Sequence, residues 1–212
     1  VLNLNPPPSI NYENKYRMES FIKFIKNKKI LDFGCGDLSF LMFCYKHTNK
    51  LYGCDLSRFK DIKQVKFFRN INEIHENFDS IFLFHTFHLL ENPVFTLKYL
   101  FKLLNKNGKI IIEIPNADNL LMSIPEFRKF TFSIESLVIY NKRSIEKLMK
   151  ILNFKYKVDY FQRYNLNNFM HWCNSKEPGG HNYNIYSKKS NRYFLDYFQN
   201  EYSDTLRIII GK

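Results

Sequence analysis

The sequence predicts an α/β fold: a mostly parallel sheet of seven strands with helices on both faces, an antiparallel last strand, and a long insertion ahead of it. Three observations predict it. Short apolar runs alternate with stretches of helical spacing along the chain, the pattern of parallel strands joined by crossover helices. Residues 30–40, ILDFGCGDLSF, pass from an apolar run into two glycines, as a chain does when it turns at the carboxyl edge of such a sheet. The 212 residues, 45% hydrophobic and 17% aromatic, suffice for one domain, 1–212, with a substantial core.

The elements follow in order. After Pro6-Pro7-Pro8, residues 11–28 place Tyr12, Tyr16, Phe21, Phe24 and Ile25 at helical spacing, making residues 1–29 a helical lead. Residues 30–33 read as a strand, 39–47 as a helix, 50–54, 65–68 and 80–84 as strands two to four. Pro93 suits the first turn of a helix over 92–104, where Leu97, Leu100, Phe101 and Leu104 share a face. Asn107-Gly108 turns into a fifth strand, 109–114, which Pro115-Asn116 ends. A helix over 144–152 and strands over 154–160 and 206–210 complete the set.

Composition narrows the partners. No apolar run approaches the roughly 20 residues that span a bilayer, and the start VLNLNPPPS lacks the basic-then-apolar order of a signal peptide. A cytoplasmic protein with no membrane association is expected. The net charge of +12 suggests nucleic acid at first sight. The lysines, however, are scattered among Asn, Ile, Phe and Tyr with no compact basic run, so a solvated surface and an anionic small substrate are the better expectations. Cys35, Cys44, Cys54 and Cys173 show no paired spacing, so neither a metal site nor a disulfide framework is expected.

The glycine turn decides the ligand. A dinucleotide fingerprint reads G-x-G-x-x-G with pyrophosphate over the helix start. Here Ser39 stands at the third glycine's place, and Asp37 sits where a phosphate would be received. A carboxylate there repels phosphate. Asp32, two residues before Gly34, adds a second negative group, and Asp55 follows Gly36 by 19 residues, near the spacing at which an acid binds ribose hydroxyls. The charges favour a phosphate-free ligand with positive groups of its own, and S-adenosylmethionine is one.

At these residues the chain resembles the class I S-adenosylmethionine-dependent methyltransferases, Rossmann-like enzymes. ILDFGCG resembles their first motif and LYGCDLS the acidic end of their second strand; residues 77–93 and 104–116 resemble the fourth and fifth strands with their loops. The tail, with 162–168, Trp172, Pro178-Gly-Gly-His181 and Asp204-Thr-Leu206, is similar to a branch of small bacterial methyltransferases often linked to surface-sugar or other metabolite modification. The resemblance implies that Gly34, Cys35 and Gly36 pass under the methionine part of the cofactor, with Asp32 a cofactor-binding candidate by its charge at the same edge. It also implies that Asp55 takes the ribose, that Leu56 and Ile71 pack on adenine beside Asn70, and that His85 faces the methionine. Where that family often has Glu-His, this chain has His88-Leu89 in the loop and Glu135-Ser136 before the late helix.

For the chemistry, Tyr12, Tyr16 and Phe84 are candidates to face a sulfonium. His88 and His181 are the candidate catalytic bases, since imidazole suits proton transfer near neutral pH. His47 and His75 read as surface residues. In the minimal fold the last two strands form a tight hairpin, whereas here residues 162–204 intervene; long connections in compact domains tend to be functional. That insertion and residues 117–143 are expected to cap the substrate, with Arg163, Tyr164, Asn168 and Trp172 lining the pocket; a homodimer contact is the plainer reading of the insertion. The function expected is methylation of a polar or anionic small molecule, such as a sugar or phosphate-bearing surface-polysaccharide precursor. The alternatives are an RNA methyltransferase, suggested only by charge, and a catalytically silent partner subunit of the same fold.

Overall fold

Seven strands form one sheet: β1 (Ile30–Phe33), β2 (Leu51–Cys54), β3 (Val65–Phe68), β4 (Phe78–Phe84), β5 (Leu104–Pro115), β6 (Lys155–Phe161) and β7 (Thr205–Gly211). Their order is β3-β2-β1-β4-β5-β7-β6, mostly parallel with antiparallel C-terminal strands, in a computed structural model that describes residues 8–57, 62–132, 136–180 and 185–212. The helices are α1 (Pro8–Ser20), α2 (Ser39–Cys44), α3 (Pro93–Lys102), α4 (Pro125–Thr131), α5 (Lys142–Ile151), α6 (Leu166–Ser175) and α7 (Lys188–Tyr197). Two compact units divide the chain. Val1–Phe84, Phe95–Ile111 and Ile210–Lys212 form the first; His85–Val94 and Ile112–Ile209 form the second.

In the first unit β1 pairs in parallel with β2 on one side and β4 on the other, Ile30 facing both Leu51 and Ser80. The strand order therefore reverses at β1, the switch point at whose carboxyl edge ligands bind in open parallel sheets. β3 extends the ladder with Cys54 opposite Phe68. Strands covered on both faces are apolar almost throughout: Phe82 is fully buried, and Phe40 and Phe84 stand edge to face 4.8 Å apart.

The N-terminal helix departs from its expected form. It ends at Ser20, a short 3-10 turn covers Ile22–Phe24, and Asn14 and Arg17 are buried while Tyr16 is 40% exposed. Polar bonding explains the inverted face. Asn14 donates Nδ2 to the Ser39 hydroxyl at 2.6 Å and accepts from the Arg17 guanidinium at 3.0 Å, so α1 bonds to α2 through an amide that the guanidinium of its own helix holds. β5 also starts earlier than expected, because its assigned span includes the Asn107-Gly108 turn, with Asn107 in the left-handed region at φ 67°.

In the second unit Glu113 on β5 accepts from Arg207 on β7 at 2.7 Å, and the Arg207 guanidinium lies 3.4 Å from the centroid of the Phe161 ring on β6. Glu113 is 1% exposed; a buried charge of this kind is tolerated only when paired. The long insertion is built of regular structure. Asn165 caps α6 by accepting from Asn168 N, Ser187 caps α7 by accepting from Ser190 N, and Trp172 packs with Leu121 and Phe127 in a second hydrophobic cluster.

Candidate functional site

The glycine corner lies wholly in the first unit. Gly34 and Gly36 hold φ of 79° and 49°, conformations that glycine adopts without strain. Leu38 holds φ 65° while 1% exposed. A leucine keeps this left-handed conformation only because its side chain is locked in the core. The amides of Gly34 and Cys35 both donate to Cys54 O, at 2.7 and 3.2 Å, and Gly36 N donates to Asp55 Oδ2 at 2.9 Å. Those bonds tie the turn after β1 to the end of β2. A Cβ placed on Gly36 meets nothing within 4 Å, so the space over this peptide is open.

Three carboxylates lie close to one another at this corner. Asp55 also accepts from Ser57 N at 2.8 Å, leaving each oxygen a further lone pair. Asp37 accepts from Ser39 N at 3.0 Å. Asp32 is 3% exposed, and its Oδ1 is buried with no hydrogen-bond partner. Burial pushes the Asp32 carboxyl up to about 7; the Arg17 cation opposes the rise, while Asp55 and Asp37 add to it. An orphaned acid oxygen among like charges is a site for a cation. Cys35 is buried, and burial pushes its thiol well above the usual range, so it acts as packing beside the corner.

Other expected cofactor residues of this unit are disposed as follows. Leu56 is 90% exposed, an apolar side chain left bare at the end of β2. Asn70 accepts from Asn72 N at 3.0 Å and so caps the 3-10 turn that starts at Ile71, which is half-buried. Phe84 does not offer its ring to a ligand cation in the way the sequence suggests. The Arg17 guanidinium already lies 4.7 Å from its centroid, with Phe21 stacked against the same ring at 5.9 Å. The side chain of Tyr12 is outside the described residues. These residues fit a ligand with an ammonium, an uncharged nucleoside and no phosphate.

The second unit gathers the expected pocket residues. A cavity of about 440 Å³ is lined by His85, His88, Arg163, Tyr164, Asn168 and Trp172, together with α4, within the size range of small-molecule sites. His85 holds φ 54°, donates its backbone N–H to Glu113 O at 2.9 Å, and has Nε2 2.9 Å from an Arg163 nitrogen. Because guanidinium only donates, His85 Nε2 is the acceptor and its own ring proton sits on Nδ1. The Arg163 guanidinium also lies 4.7 Å from the Tyr164 ring centroid.

His88 is 7% exposed, its Nδ1 has no partner, and burial lowers it to about 4. It is therefore neutral at pH 7 and a weak base. His181 lies outside the described residues.

Two residues that hold the sites in shape escape sequence reasoning. Arg17 escapes it because a helix with tyrosines at helical spacing invites an apolar reading. Asp204 stands out in sequence only within the Asp204-Thr-Leu206 stretch, which gives its carboxylate no role. In the structure it accepts from Arg163 N, Tyr164 N and Gln162 Nε2 at 2.9, 2.8 and 2.8 Å and bonds Thr205 Oγ at 2.7 Å. Burial pushes its carboxyl up while these donors pull it down.

The comparisons agree with this geometry. Residues 11–157 match the model of a family described as a methyltransferase domain. No curated protein matches the chain in sequence. Among solved structures, a SAM-dependent methyltransferase from Archaeoglobus fulgidus superposes with a TM-score of 0.65 at 17% identity, over 95% of this chain and 94% of the other. The plantazolicin methyltransferase BpumL, in complex with a triazolic desmethylPZN analog and SAH, gives 0.61 at 19% identity, covering 96% and 84%. A possible histamine N-methyltransferase from Thermotoga maritima gives 0.61 at 12% identity, covering 96% and 89%. With the family model spanning well over half of it, the chain belongs to the methyltransferase-domain family and is a class I S-adenosylmethionine-dependent methyltransferase.

Proposed function

We propose that this methyltransferase acts on a small anionic molecule held in the cavity of its second unit, with S-adenosylmethionine bound at the glycine corner of the first. The observation that carries the cofactor assignment is the partnerless Asp32 Oδ1, close to the Asp55 carboxylate that holds the Gly36 peptide. Asp32 receives the ammonium, the Gly34-Cys35-Gly36 turn underlies the methionine part, and Asp55 takes the ribose with its remaining lone pairs. Leu56 and Ile71 cover the adenine beside Asn70. When bound, the cofactor supplies an electrophilic methyl on a cationic sulfur.

The chain's own contribution is to hold charge and orientation. Arg163 and Lys129 line the cavity, and their charge supports an acceptor that carries an anion. An acceptor already ionised at the reacting atom needs no base, which suits a cavity whose His88 is a weak one. The narrower reading, a sugar or phosphate-bearing precursor of surface polysaccharide, rests on the resemblance of the tail. Incubation of the protein with methyl-labelled cofactor and a fractionated cell extract tests the acceptor class. Label is expected in small anionic metabolites; label confined to RNA or protein contradicts it.

A further inference from the structure

The shape and bonding of the second unit's cavity narrow the acceptor, on the reading that this cavity is the acceptor site. Its walls are aromatic. Phe127 and Trp172 meet edge to face at 4.9 Å, and Phe130 lies 5.2 Å from Trp172 at 49°. Phe127 and Trp172 are 5% and 3% exposed, whereas Phe130 is 52% exposed. Phe130 therefore presents the flat face, while the Arg163 guanidinium lies over the Tyr164 ring.

Its charge is positive. Lys129 and Arg163 are the cations of the lining and Asp204 its acid, but both Asp204 oxygens are engaged by protein donors. Two of its amides are tied to the loops. Asn116 donates Nδ2 to Glu201 O and Ser203 O at 2.8 Å and accepts from Asp118 N at 3.1 Å. Asn119 accepts from Leu121 N at 3.0 Å. A ring with many hydroxyls would lose water here and find few partners, a costly exchange. A flat apolar ring loses nothing. Among the described residues of the lining, His88 Nδ1 stands without a hydrogen-bond partner, on a side chain 7% exposed. A neutral imidazole nitrogen serves a single hydroxyl or amine.

We propose that this cavity takes an aryl carboxylate: a flat aromatic ring against Phe130, a carboxylate beside Lys129 and Arg163, and one hydroxyl or amine for His88 Nδ1. Trp172, the one tryptophan of the chain, reports occupancy through its fluorescence without any turnover. The probes are 4-hydroxybenzoate, uncharged phenol and glucose 1-phosphate. Saturable quenching by 4-hydroxybenzoate is expected, with phenol weaker by about tenfold, as the loss of a charge-assisted pair implies. Glucose 1-phosphate is expected to bind more weakly still.

Lys129→Ala and Phe130→Ala alter exposed side chains and leave the core intact; each weakens 4-hydroxybenzoate by roughly fivefold or more. Absence of saturable quenching, glucose 1-phosphate binding as well as the aryl acid, or wild-type binding in both variants overturns the inference. Titration of the same sample with S-adenosylmethionine separates the failures. Cofactor binding without aryl binding sinks the aryl acceptor alone and leaves the anionic-acceptor reading standing. Aryl binding with methyl label appearing only in RNA or protein upholds the ligand class and sinks the acceptor reading.

Discussion

Asp32 carries an acid where the surroundings disfavour its charge. Its carboxyl keeps its proton to about pH 7 because burial and two neighbouring carboxylates outweigh the Arg17 cation. The group's folded value lies above its unfolded one, so its contribution to stability is fully present below pH 4 and is lost as pH rises through 7. Asp32→Asn removes that dependence. The variant's melting temperature is therefore expected to gain on the wild type between pH 5 and 8 by roughly 5 °C or more, without cofactor. A constant difference across that range, followed by calorimetry, contradicts the assignment. A bound ammonium reverses the penalty by favouring the charged carboxylate. At this scale the sequence is legible where residue type alone decides: two glycines, Asp55 19 residues after Gly36, a leucine at the end of β2. It is not legible for Arg17, whose role depends on a helix face that periodicity assigns to tyrosines.

Among the elements, the parallel strands are readable because burial on both faces writes a continuous apolar run into each. The 162–204 insertion reads in sequence as a cap in which no element is assigned. Its helices are short, and their start signals, Asn165 and Ser187 as caps, are single polar residues in a chain rich in asparagine and serine. The late helix shows the same limit. Its start moves to Lys142 because Asn141 and Ser144 bond each other's backbone amides in a reciprocal cap. Asp204 holds the exit of β6 to the start of β7, with three donors reaching it from residues 162–164. An amide at this position turns an NH₂ towards a backbone N–H, so Asp204→Asn is expected to lower stability by about 1–3 kcal/mol. Urea denaturation measures this, and an unchanged midpoint contradicts the role given to the carboxylate.

For the whole molecule, overall charge and local charge have opposite signs. The chain carries a net +12, yet at the glycine corner Asp37 and Asp55 lie close enough to Asp32 to push its carboxyl up. The overall excess concerns solubility and long-range attraction; the corner decides what binds. Among the described residues no helix is long and apolar enough to cross a membrane. Fold and cofactor class are legible in the sequence because both depend on short contiguous motifs. The cavity of the second unit depends on residues from 85 to 205, whose meeting no spacing rule foretells.

The most direct measurement is a calorimetric titration of the purified protein at pH 8 with S-adenosylmethionine and, separately, with NAD. Three acids around a phosphate-free corner predict saturable, micromolar-range binding of the sulfonium nucleoside and no detectable binding of the pyrophosphate. Tighter binding of NAD than of S-adenosylmethionine would contradict them.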